Sequence, residues 1–163
     1  MASTSWIHDA AFKGFHNALS YDAHRPSYPD TAVGSLLKHL GLEGRPGRIV
    51  DLAAGTGKFT EVLAARPEAF EIVAVEPLDS MRETLAKKHL RGVEVRAGTA
   101  SNIDAVETGW ADGCIVAQAF HWFAEEESLK EIHRVLKPGA KLGLIWNVED
   151  CGYILLFDYM AVY

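Results

Sequence analysis

The chain has 163 residues, 48% of them hydrophobic and 23% charged, with 16 basic against 22 acidic side chains and a formal net charge of -6. This is the composition of one ordinary globular domain, long enough to bury a core without disulfides. No basic stripe is present of the kind that grips a phosphate backbone, so nucleic acid is not expected as a substrate.

Met1 to Asp9 lacks a basic stretch followed by an apolar one, so no secretory signal is read there. No run approaches the roughly 18 apolar residues of a spanning helix; even Tyr153 to Tyr163 is short and is interrupted by Asp158. The expectation is a soluble, cytoplasmic protein with no membrane partner. Cys114, in an apolar run, and Cys151, in a loop, fit that as reduced thiols.

From Pro29 onward helical periodicity alternates with short apolar runs. Asp30 or Thr31 is placed to cap a helix with Ala32, Leu36, Leu37 and Leu40 on one face and Gly41 at its end. Arg48 to Leu52 reads as a buried strand. The turn Ala53 to Gly57 follows, and then a helix from about Lys58 to Arg66 with Val62 and Leu63 inward. Glu71 to Glu76 is the second strand. Pro77 breaks it, Asp79 or Ser80 caps the next helix, and Met81, Leu85 and Leu90 form that helix's apolar side.

Val93 to Ala97 alternates as a third strand, and Gly113 to Ala117 is as continuously apolar as a central parallel strand covered on both faces. Glu125, Glu126 and Glu127 are read as a solvated first turn that complements a helix N-terminus, not as a metal site. Leu129, Ile132, His133 and Leu136 are assigned to the inward face of that helix. Lys137-Pro138-Gly139 closes it, and Lys141 to Trp146 is the fifth strand. Five alternations of strand and helix predict an α/β fold with a doubly wound, mostly parallel sheet.

In such sheets ligands sit beyond the carboxyl ends of the strands, and the first strand-to-helix turn is the usual place. Gly55 and Gly57 clear Cβ atoms from the backbone there, and the following helix offers free N–H groups. Glu76 ends the second strand at the distance where a carboxylate accepts hydrogen bonds from both ribose hydroxyls of an adenosine. A phosphate-binding P-loop is excluded, because Phe59 follows Gly57-Lys58 where Ser or Thr is required, and Leu52 stands at its first glycine. A dinucleotide fits less well: Thr60 replaces the third glycine, and no Tyr-x-x-x-Lys pair is present to carry hydride chemistry.

Ile49-Val50-Asp51-Leu52-Ala53-Ala54-Gly55-Thr56-Gly57 resembles the first motif of class I S-adenosylmethionine-dependent methyltransferases, with Ala53 in place of the usual first glycine. Gln118-Ala119-Phe120-His121-Trp122-Phe123 and Arg134 to Gly139 are similar to the type 11 branch. Tyr21 to Pro29 is similar to the N-terminal segment of trans-aconitate methyltransferase-like members, and the likeness runs from about Phe15 to Asp150.

The resemblance implies a Rossmann-like methyltransferase fold in a single domain, with an N-terminal lid over 1–28, a cofactor-binding core over 29–150 and a divergent tail over 151–163. It implies that Asp51 and the amides from Ala53 through Gly55 and Thr56 to Gly57 surround the methionine and ribose part of S-adenosylmethionine. It further implies that Glu76 binds the ribose diol, that Leu78 covers the adenine, that Thr99 and Ala100 touch its amine through backbone, and that Gln118 begins the floor under the methyl group. Tyr21, Arg25 and Trp122 are the implied substrate contacts, with Arg25 suited to a carboxylate. The expected acceptor is an oxygen on a small molecule. A carboxylate needs no base; a hydroxyl is served by one, and His121 is the candidate.

Members of this fold continue past the fifth strand with a helix and an antiparallel pair of strands. Residues 151–163 resemble none of that, so the last two strands are expected to be missing, as in a C-terminally truncated chain. An exposed fifth-strand edge is the consequence. The tail is aromatic and β-prone, and is read as covering that edge, pairing with a second copy of the chain in a homodimer, or remaining sticky. The alternative to catalysis is a truncated protein that binds cofactor or a partner without turnover.

Overall fold

The computed structural model describes residues 27–147 and, as backbone alone, 154–159. In chain order the elements are α1 (Asp30–His39), β1 (Arg48–Leu52), α2 (Lys58–Ala64), β2 (Glu71–Val75), α3 (Asp79–Ala86), β3 (Val93–Arg96), β4 (Ala111–Ala117), a single 3-10 turn (Phe120–Trp122), α4 (Glu126–Val135), β5 (Leu136–Asn147) and β6 (Ile154–Tyr159). They build a six-stranded sheet in the order β3-β2-β1-β4-β5-β6. The first five strands are parallel, so the expected doubly wound α/β fold is the one found.

The strand sequences explain the layering. Successive side chains of a strand point to opposite faces. Ile49, Ile72, Ile115 and Ile145 therefore meet α1 and α2 on one face, through Leu36, Leu37, Phe59 and Leu63. Val50, Val73, Cys114 and Leu144 face the other side, against Ile103, Ile132 and Val135. Cys114 is a fully buried free thiol, and burial pushes its pKa up, so it packs as a small apolar group.

Several boundaries differ from the sequence expectation. The first helix carries no side-chain cap; Pro29 is its N-cap, and Asp30 lies in its first turn, where Arg66 Nη1 donates to it at 2.5 Å. Leu90 lies beyond the end of α3 and is half-buried. The inward stripe of α4 is Ser128, Ile132 and Val135, with Leu129 and Leu136 packed at its margin, whereas His133 is exposed. A face phased from Leu129 turns His133 inward; the helix is rotated so that this polar ring in its last turn stays in water. β5 starts directly after α4, with Ala111 paired to Leu136 and Gly113 to Lys141, and the intervening Lys137-Pro138-Gly139-Ala140 forms an irregularity in which Gly139 takes φ +80°.

The largest difference lies at the sheet edge. β5 is not open there: β6 pairs with it antiparallel, from Leu142 opposite Tyr159 to Asn147 opposite Ile154. An antiparallel return needs only a short connection, so an apolar β-prone run close behind β5 satisfies its unpaired backbone groups. One of the three roles expected of the tail, covering the edge, is the arrangement observed. Tyr21, Arg25 and Cys151 lie outside the described residues.

Candidate functional site

The carboxyl ends of β1, β2, β3, β4 and β5 open into one cleft. Its floor is the β1 turn, in which Ala53, Gly55 and Gly57 all adopt left-handed φ, of +58°, +59° and +88°. Glycine suits that region and alanine does not, so Ala53 is the strained member of the turn. Gly57 has a second reason for its identity, because a Cβ there would overlap Leu85 Cδ1. Gly57 stays behind the turn, whereas Ala53, Ala54, Gly55 and Thr56 line the cleft.

Two buried carboxylates define the chemistry. Glu76, 4% exposed, follows β2 and accepts hydrogen bonds from the Gly55 amide at 2.8 Å and the Leu78 amide at 2.9 Å. Burial raises its pKa, while the two amides and the nearby Arg82 oppose that rise. Arg82 also locks the turn after β2 by donating to the Glu76 and Pro77 carbonyls at 2.9 and 3.0 Å. Asp51 is 1% exposed, and its Oδ2 accepts from Thr60 Oγ1 at 2.6 Å. Its Oδ1 is buried without a hydrogen-bond partner. Burial above all, with Glu76 nearby, pushes its pKa up to about 7 against the pull of the Thr60 hydroxyl.

An unpartnered buried carboxylate oxygen costs more than one kcal/mol, so a site that keeps it has a use for it. A ligand that brings a hydroxyl or ammonium donor to Asp51 and a diol to Glu76 fits both groups. Thr60 now has a positive role: at the position where a dinucleotide site prefers glycine, it holds Asp51 in place.

Of the remaining expected contacts, Leu78, Thr99, Ala100, Gln118 and Trp122 all line the cleft. Gln118 is held in left-handed backbone at φ +63°, with Nε2 donating to the Asn147 carbonyl at 3.3 Å. A non-glycine residue held in that region at a cleft is the kind of local strain that collects at functional sites. His121 is exposed and does not line the cleft; its ring packs on Trp122 with centroids 4.7 Å apart. Sequence reasoning missed Tyr28, Phe59, Met81, Lys58, Ser128 and Asn147, which line the same space. Tyr28 meets Phe59 edge to face at 4.9 Å, a pairing that links the segment before α1 to α2 and is invisible in periodicity. Among the described residues no cluster of His, Cys, Asp and Glu could hold a metal ion, and no helix is long and apolar enough to cross a membrane.

A family model described as a methyltransferase domain matches residues 50–144, from β1 to β5 and more than half of the chain. The chain belongs to this methyltransferase family. It is 44% identical over 135 residues to an uncharacterised methyltransferase-like protein of Schizosaccharomyces pombe, covering 82% of this chain and 51% of that protein. It is 38% identical over 131 residues to an uncharacterised methyltransferase of Mycobacterium tuberculosis, covering 80% and 50%. The chain thus spans about half the length of the curated relatives it matches. Among solved structures, a SAM-dependent methyltransferase from Aquifex aeolicus superposes with a TM-score of 0.61 and 26% identity, over 73% of this chain and 67% of that one.

Proposed function

We infer that the chain binds S-adenosylmethionine in this cleft and transfers its methyl group to an oxygen, a carboxylate or hydroxyl, of a small molecule. The observation that carries this is the pair of buried carboxylates: Asp51 with one unpartnered oxygen and Glu76 at the end of β2. The left-handed Ala53–Gly57 turn beside them holds a polar ligand against backbone, and Leu78 and Met81 give an apolar wall for a base.

When bound, the cofactor supplies an electrophilic methyl group on a sulfonium, so the protein has no covalent step to perform. What this chain's residues contribute is alignment and exclusion of water. Asp51 accepts hydrogen bonds and favours a cation, Glu76 orients a diol, and Tyr28, Phe59, Trp122 and Phe123 surround the space with aromatic surface. Orientation of this kind accounts for up to ~7–11 kcal/mol of a barrier when the reacting atoms are held in line.

His121 lies off the cleft, which favours an acceptor that arrives already ionised. We therefore place carboxylates ahead of hydroxyls, with Arg25 and Tyr21 of the trans-aconitate methyltransferase-like segment as their partners. Lys58 and the acids Asp51, Glu76 and Glu125 are the charged residues that line the cleft among those described, a balance unsuited to a polyanion such as nucleic acid. The buried thiol of Cys114 suits a reducing compartment such as the cytoplasm. The same off-cleft position of His121 supports the second reading, a protein that binds the cofactor without turnover.

The test is transfer of labelled methyl from S-adenosylmethionine to a panel of carboxylic acids and phenols. Label appearing as a base-labile methyl ester on carboxylic acids is expected. Saturable cofactor binding without label on any acceptor would favour the second reading.

A further inference from the structure

Thr60 is the third residue of α2; it is fully buried and does not line the cleft. A threonine in a helix commonly turns its hydroxyl back onto a carbonyl one turn earlier, as Thr84 does onto Ser80 at 2.8 Å. Thr60 Oγ1 donates instead to Asp51 Oδ2 at 2.6 Å, across the turn that joins β1 to α2. Valine fills nearly the same space without a hydroxyl, so packing alone does not call for threonine here.

The bond divides the two oxygens of Asp51. Oδ2 is taken by α2, and the unpartnered Oδ1 is the oxygen left for a ligand, since Asp51 lines the cleft. In the sheet Asp51 lies between Ala74 of β2 and Ile115 of β4, neither of which carries charge. Burial and Glu76 push its pKa up, and the Thr60 hydroxyl draws it down. No cation takes that part: Arg82 acts on Glu76, and neither it nor Lys58 on the cleft wall is among the influences on Asp51. Glu125, the remaining charged residue of the cleft among those described, is exposed, and Cys114 of β4 is a neutral thiol whose pKa Asp51 helps to raise. Among the described residues the ionised carboxylate thus rests on one hydroxyl.

That dependence bears on any ligand that brings a donor to Oδ1. A carboxylate accepts from a hydroxyl or ammonium, whereas a carboxylic acid has first to give up its proton. Uptake and proton release are therefore linked, and whatever favours the ionised form extends uptake to lower pH. Thr60 favours it from behind the cleft, without lining the space the ligand fills.

We propose that Thr60 is a positioning residue: its hydroxyl, donated to Oδ2, favours ionised Asp51 with Oδ1 free for a ligand donor, and so sets the lower pH limit at which the cleft takes up its cofactor. The inference rests on the S-adenosylmethionine reading of the cleft. It gives the first turn of α2 control over the charge of a site that α2 itself touches only through Asp51.

Two measurements on the full chain test it, one without ligand. Carbon-13 NMR of the Asp51 carboxyl, assigned with Asp51→Asn, should give a midpoint near pH 7 in the wild-type chain. Thr60→Val should move that midpoint up by about one pH unit, Thr60→Ala should reproduce the move, and Thr60→Ser, which keeps the hydroxyl, should restore it. In calorimetric titration with S-adenosylhomocysteine, Thr60→Val should then lose about 5- to 10-fold in affinity at pH 6.5 and less than about 2-fold at pH 8.5, with Thr60→Ser close to the wild type at both. An unmoved midpoint, or equal losses at the two pH values, in folded variants would overturn the role of Thr60 alone. No binding by the folded wild-type chain would overturn the cofactor reading, and the control of uptake with it, even if the carboxyl midpoint of the ligand-free chain moved as expected.

Discussion

On the β1–β2 side of the cleft Glu76 is gripped by two amides, Asp51 by Thr60, and the turn after β2 by three bonds from Arg82 to Glu76, Pro77 and Asp79. On the β4–β5 side Gln118 reaches the Asn147 carbonyl at 3.3 Å, Trp122 and Phe123 are half-buried, and His121 and Glu125 are exposed. The first side is a preorganised mould for one ligand, with strain and an unpartnered carboxyl oxygen built in. The second is an open aromatic rim on loops, held by fewer fixed contacts.

The largest effect expected on that contrast is electrostatic. Burial pushes the Asp51 pKa up to about 7 in the folded chain, whereas an unfolded aspartate loses its proton near its ordinary value of 3.8. The folded state therefore binds more protons across that window, and stability should fall as pH rises through it, by up to about 4 kcal/mol, and level off above. Denaturant titrations from pH 4 to 8 check this, and Asp51→Asn should flatten the profile. A donor arriving at Oδ1 favours the ionised form, so S-adenosylhomocysteine should bind more tightly as pH rises through 7, with release of a proton.

Next in size, Gly57→Ala forces a side chain into left-handed backbone and into Leu85, and should lower stability by about 3 kcal/mol in thermal unfolding. Glu76→Ala strips the Gly55 and Leu78 amides of a charged acceptor and removes the proposed diol contact; a loss of about 100-fold in S-adenosylhomocysteine affinity is expected by calorimetry. Ala53→Gly relieves the left-handed alanine and should add about 1 kcal/mol of stability. The smallest change belongs to the open rim: His121→Ala should alter cofactor affinity by less than about 2-fold. A large loss there would erase the difference between the two sides.

The same contrast governs what could be read from residues alone. Strand limits from Arg48 to Leu52 and the position of Glu76 follow from local patterns, a run of apolar residues and a fixed spacing after a glycine turn. Thr60 was visible only as a missing glycine, because its bond to Asp51 spans a turn and a helix start. Ser128 is not legible in the pattern because a helical face phased from Leu129, one residue away, turns it outward. The pairing of β6 with β5 depends on a register between distant residues, which no local periodicity encodes. His121 stands inside a motif, but its exposure depends on how the 3-10 turn is set against the sheet.

The central claim is that Asp51 and Glu76 hold an adenosine cofactor, and calorimetric titration of the full chain with S-adenosylhomocysteine tests it most directly. Saturable one-to-one binding that is lost in Glu76→Ala and undisturbed by excess NAD is the predicted result. No heat of binding from a chain shown to be folded, or displacement of the ligand by NAD, would contradict it.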